Sequence, residues 1–293
     1  MVSIFVQLII DGLGMGMVYV LLASGFNLII SVSGVLFIAY GQFYMLGAYI
    51  LWGLMVLLKV NFFISLCVAT IVPGILGGII YRLIFRRIQF MGRQLLNGIV
   101  AALGLTMLIG QAALLVFGTS SRGVSSIFTG MFKLGGVGIS FEKVVLIILA
   151  IVVLLGLHFF LQKTNIGRGM RAVSFNPDVA ALQGVNPNKI YLGAMAVGCA
   201  LAAFAGGIMA PVFAISPGMG MIVLLILLVV MLGGIGSMPG AIIAGLILGV
   251  TLSFGQYFIG TGVAQILFFA IIGFITFFRP GGLLGQPPEE IPL

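Results

Sequence analysis

Charge is what this chain of 293 residues has least of: five acidic side chains, thirteen basic ones and one histidine, with Asp, Glu, Lys and Arg together only 6% of the sequence. Enzymes assemble their sites from clustered acids, metal-ligating imidazoles or a nucleophile with its base, and this inventory is too thin to supply one. Ser24 with His158 is the nearest approach to a hydrolytic dyad, yet a lone histidine near a helix end is far more often a packed or interfacial side chain. Cysteine is as scarce: Cys67 and Cys199 both fall in apolar stretches, where isolated thiols act as small hydrophobes and imply neither a redox pair nor a metal site. A phosphate-binding loop is missing too. The run GGIGSMPGA at 233–241 is glycine-rich but lacks the Lys-Ser/Thr that grips phosphate and magnesium, so it reads as a reversal between two helices, with Pro239 opening the second.

What is abundant is apolar surface, 62% of residues with a mean hydropathy of +1.35, more than any aqueous core of this size receives. Apolar runs fall at 4–30, 34–58, 61–84, 96–117, 143–161, 191–214, 218–235, 238–258 and 261–278. They predict an all-α polytopic transmembrane bundle of eight or nine spans, some broken, as one membrane domain over 1–293. The net charge of +8 does not point to nucleic acid, because its basic residues cluster between apolar runs as topology signals do. Placing the 82–93 loop in the cytoplasm puts 163–190 and the carboxyl end there too. The inner side then holds Arg82, Arg86, Arg87, Arg93, Lys163, Arg168, Arg171, Lys189 and Arg279, against Lys59, Arg122, Lys133 and Lys143 outside. Nine spans leave the amino terminus outside; a broken first run or a re-entrant early run leaves eight and an internal start. The amino terminus has no basic leader region and reads as a retained membrane segment, while 118–142, rich in Gly and Ser, reads as an exposed loop.

Small residues recur four apart at Gly12/Gly16, Gly74/Gly78, Ala202/Gly206/Ala210 and Gly245/Gly249, a spacing that lets helix backbones approach closely in lipid. Neutral polar residues recur within the runs, and seven of them are candidates to line a solute pathway: Tyr19, Ser24, Asn27, Ser31, Ser33, Gln42 and Asn97. Each also reads as an interhelical hydrogen bond, worth about 0.6 kcal/mol. Asn27 and Gln42 flank the Ser31–Gly34 break, and irregular backbone at membrane depth is tolerated where it lines a cavity or is covered by protein. Asp11 is costly inside a span and commonly functional there, unless it reaches the interface; a single acid makes a poor proton relay, which argues against an ion-coupled carrier.

One dense polar interruption remains, KTNIGRGMRAVSFNPDVAALQGVNPNK at 163–189. Asn176 as N-cap, Pro177 at the first helical position and Asp178 at the positive dipole end start a short helix that Gly184 closes. Gly167 and Gly169 soften the approach that carries Arg168 and Arg171. From these residues alone the element is either a docking lever or an amphipathic helix at the lipid headgroups.

The stretch GMVYVLLASGFNLIISVSGVLFIAYGQFYMLGAYI (16–50), with TNIGRGMRAVSFNPDVAALQGVNPNKI (164–190), LGGIGSMPGAIIAGLILGV (232–250) and FRPGGLLG (278–285), resembles the permease subunits of bacterial branched-chain amino acid ATP-binding-cassette (ABC) transporters. The resemblance implies that the capped helix is a coupling helix docking on a cytoplasmic ATPase. Gly167, Arg168, Met170, Arg171 and Ala172 match its approach, and Asn176, Pro177, Asp178, Ala180, Ala181, Leu182, Gly184 and Val185 its docking element. It further implies import of leucine, isoleucine, valine or a similar small solute across the bacterial inner membrane. The implied partners are a homologous second permease or a second copy, two ATP-binding subunits, a periplasmic solute-binding protein and membrane lipid. ATP and magnesium then belong to the partners, and this chain carries no cofactor or metal of its own. The family often has His and an acid where this chain has Tyr40 and Gln42, a more neutral pathway segment; related permeases handle urea and amides, and a self-sufficient channel would use the same kind of bundle.

Overall fold

The computed structural model describes residues 2–89, 94–124, 130–134, 137–278 and 281–284. The chain folds as helices α1 (Val2–Ser33), α2 (Tyr40–Trp52), α3 (Phe62–Ile80), the short α4 (Arg86–Ile88) and α5 (Gln94–Phe117). After a hairpin of β1 (Met131–Leu134) and β2 (Val137–Ser140) come α6 (Phe141–Lys163), α7 (Asn165–Phe175), α8 (Pro177–Leu182), α9 (Pro187–Met209), α10 (Ile222–Gly233), α11 (Met238–Ile259) and α12 (Thr261–Phe278). Among the described residues, seven helical stretches are long and apolar enough to cross a bilayer, and 217–233 and 261–275 are shorter apolar helices, so the chain is a multi-pass membrane protein.

Three sequence expectations are revised. The first run is one unbroken helix of 32 residues, and the break falls after it: backbone 34–39 is irregular, opened by Gly34 at φ +65°, and helix resumes only at Tyr40. The 118–142 segment is not simply a loop, since β1 and β2 pair antiparallel within it. The approach to α8 is not softened by glycine either. It is the helix α7, whose Thr164 cap accepts from Gly167 N at 3.0 Å, and Gly167 and Gly169 are there because a Cβ would strike Leu161 and Ile190.

Lipid offers apolar side chains no incentive to leave it, so these helices associate by close packing at small residues. The two glycine pairs from opposite ends of the sequence meet each other: a Cβ on Gly249 would collide with the backbone of Gly16 and Gly12, and one on Gly12 with Val250. The α2–α9 contact is as tight, Gly47 lying on Ala203 and Gly206 on the Tyr44 carbonyl. α2 is thereby buried nearly all round, as its lack of any charged residue permits.

The basic residues sort to two ends. At one, Tyr81 donates to Gln89 Oε1 (2.7 Å) and lies 3.4 Å from Asn188 Oδ1, which brings Arg82, Arg86 and Arg87 beside α7, α8 and the start of α9 with Lys163, Arg168, Arg171 and Lys189. At the other, the Arg122 guanidinium packs 4.4 Å over the Trp52 ring, its backbone pairs with Ile215, and Lys143 bonds Asp11. Lys59 follows α2 at this second end and Lys133 sits in β1. Arg93 and Arg279 lie outside the described residues.

Candidate transport cavity and coupling element

α8 forms where the sequence puts it. Asn176 Oδ1 accepts from Asp178 N at 3.0 Å and Val179 N at 3.1 Å, satisfying two amides that the first turn cannot pair; Pro177 has none to pair. Gly184 sits at φ +84°, the left-handed turn that lets Val185 N reach back to Ala180 O at 3.1 Å. Buried Gly167, Met170 and Ala180 root the element in the bundle, with Ala172 and Val185 partly covered. Arg168, Arg171, Asn176, Pro177, Asp178, Ala181 and Gly184 face outward, and Arg168 also bonds Asn165 Oδ1 at 2.6 Å. Around them Phe175 at the end of α7 is 84% exposed and Leu182 at the end of α8 88%, with Val179 also exposed, three apolar side chains left uncovered at this end. Phe175 and Val179 stand outside the set matched by family resemblance; the fold shows that both are exposed beside the coupling residues, Val179 three residues from Leu182 on α8.

At the opposite end a cavity of about 510 Å³ opens between α1, α6, α9 and α11, lined by Asp11, Met15, Tyr19, Lys143, Met209, Phe213 and Gln256 among others. A second, of about 460 Å³, shares Met15, Tyr19, Met209 and Phe213 with the first and continues toward Tyr44, Met219 and Gln265. Of the seven pathway candidates, Tyr19 alone lines both chambers. Asn27 is buried, and its Oδ1 accepts from Gly236 N at 2.7 Å, clasping the α10–α11 reversal, which Gly234 and Gly236 turn at positive φ. Ser33 donates to Ile29 O at 2.7 Å and Ser31 leans toward Leu28 O at 3.4 Å, both turned back on α1 itself. Ser24 Oγ and Gln42 Oε1 are buried without a protein hydrogen-bond partner, Gln42 packed on Gly220; Asn97 is half-buried on α5. Tyr40 donates to Leu22 O at 3.0 Å. Ser24 is 1% exposed in the core whereas His158 is exposed on α6, so they form no dyad.

Sequence reading flagged Asp11 but not its partner. Lys143 Nζ lies 2.7 Å from Asp11 Oδ1, 132 residues away in the chain, and nothing local marks such a pair.

These features belong to a recognisable group. The family model described as "Branched-chain amino acid transport system / permease component" matches residues 8–278. The chain is 29% identical to the high-affinity branched-chain amino acid transport system permease protein BraD of Pseudomonas aeruginosa, over 98% of this chain and 97% of that one. It is 27% identical to the permease protein LivH of Escherichia coli over the same shares. Among solved structures, PsaBC from Streptococcus pneumoniae in complex with Fab superposes with a TM-score of 0.54 at 14% identity, over 95% of this chain and 96% of that one, a likeness of fold alone. With the match running through nearly every span and through the capped loop, the chain belongs to the permease component family of branched-chain amino acid transport systems.

Proposed function

We propose that this chain is a membrane-spanning subunit of an ABC importer in the bacterial inner membrane, moving leucine, isoleucine, valine or a related small amino acid by alternating access. The observation that carries the mechanism is the exposure of Phe175, Val179 and Leu182 on α7 and α8. Exposed apolar side chains at the basic end of the bundle support a protein-docking surface there. On this reading two cytoplasmic ATP-binding subunits, which hold the ATP and magnesium, seat at that end. A homologous permease, or a second copy, completes the pathway, and a periplasmic solute-binding protein delivers solute to the opposite end.

The chain's part is mechanical. Closure of the nucleotide-loaded ATPase pair pushes on α8; because Gly167 and Gly169 seat α7 directly on α6 and α9, the push reaches helices that contact α1 and α2. Nucleotide that favours the closed pair thereby favours one state of the bundle, and hydrolysis releases it. The test is reconstitution of the purified chain with its co-purifying subunits in proteoliposomes. ATP-dependent accumulation of branched-chain amino acids is expected, and solute flux through the chain alone without ATP would instead identify a channel.

A further inference from the structure

The Asp11–Lys143 pair sits in an unusual place. Its two side chains are about a third exposed, 32% and 31%, at the wall of the larger cavity. A purely structural bridge gains by being covered on all sides or by lying free in water, where it contributes little. This one is open toward a chamber whose remaining wall is mostly apolar. At about 510 Å³ that chamber falls in the range of about 300–1,000 Å³ usual for small-molecule sites, which combine apolar walls with a few placed polar groups.

Resting on the transport reading above, we propose that Asp11 and Lys143 form the zwitterion-recognition site of the outer chamber. Asp11 takes the ammonium of an incoming α-amino acid, Lys143 its carboxylate, and the aliphatic side chain enters the space walled by Met15, Tyr19, Met209 and Phe213. The exchange conserves pairing: one protein ion pair is split and two protein–ligand pairs replace it, so neither charge is left alone. A neutral solute such as urea or an amide offers no such exchange and leaves the pair closed. The two methionines adapt to branched side chains of different shape, which suits selection of a class over a single compound.

The test uses the whole complex in proteoliposomes with its binding protein, L-leucine as probe, and the variants Asp11→Asn, Lys143→Met and the double exchange Asp11→Lys with Lys143→Asp. Each single variant is expected to lower kcat/KM for leucine uptake about tenfold, while co-purification with the ATPase subunits stays unchanged. The exchange restores the ion pair but reverses ammonium and carboxylate relative to the side-chain chamber, so uptake stays low. Full recovery in the exchange variant, or single variants within twofold of the unaltered chain, overturns the proposal and makes the pair a latch. An unaltered complex that imports urea and not leucine sinks the substrate reading, and this inference falls with it; intact leucine import with indifferent variants sinks only the inference.

Discussion

Leu182→Ala is the sharpest test of the coupling element. Leu182 is 88% exposed near the end of α8, so its removal costs the folded chain little, within about 0.5 kcal/mol, and alanine keeps the helix. If that side chain is covered by an ATPase subunit, docking buries nearly the whole of it, and burying a leucine is worth roughly 1.5–3 kcal/mol. The alanine side chain retains a fraction of this, leaving a loss of about 1.5–2 kcal/mol, or roughly 10- to 30-fold weaker association. Phe175→Ala, at 84% exposure, is expected to act at least as strongly. The assay is binding of the co-purifying ATPase subunit to solubilised permease, with ATP-dependent uptake in parallel and the permease's thermal unfolding as control. Association within twofold of the unaltered chain in both variants would refute the docking role. So would weakened association accompanied by a matching loss of folded permease.

Asn27→Leu removes the buried acceptor of the Gly236 N–H and is expected to cost about 0.5–1.5 kcal/mol of stability and to slow uptake while leaving ATPase association intact, read by unfolding in detergent and by co-purification. Gly184→Pro demands φ near −65° where the backbone stands at +84°, so α8 loses its closing turn; insertion is expected to persist and uptake to vanish, and normal uptake would show the turn to be dispensable. Gly206→Ala drives a methyl into the Tyr44 carbonyl and is expected to cost about 1–3 kcal/mol, whereas Gly156→Ala, with open space around it on α6, is expected to gain about 0.5–1 kcal/mol. Equal thermal stability of those two variants would contradict the close α2–α9 contact.

Much was legible before any fold was known. Asn176-Pro177-Asp178 and Gly184 delimit α8 because capping is settled within a few residues, by amides that lack partners and a φ that only glycine takes without strain. The reversal at 233–241 is legible for the same reason, with Ser237 capping α11 through Gly240 N at 3.1 Å. Hydropathy locates most of the spans. It misplaces the entry to α2, because the apolar residues 35–38 are hydrophobic whether helical or not, and periodicity cannot see the irregular backbone that Gly34 begins. The candidate pathway was harder. Tyr19 reaches the cavities, but Ser31 and Ser33 bond their own helix and Asn27 a turn 209 residues away.

Composition and local chemistry by themselves determined that this chain lives in a bilayer, that it reverses at 233–241, and that a capped helix projects from it near residue 180. The tertiary structure alone decided that Gly12 and Gly16 face Gly245 and Gly249, that Asp11 meets Lys143, and that Phe175, Val179 and Leu182 are left exposed. Caps and hydropathy act over a turn or a span and so are written in adjacent residues. Which helix neighbours which is settled by the fit of small residues across the whole bundle, and no single segment contains it.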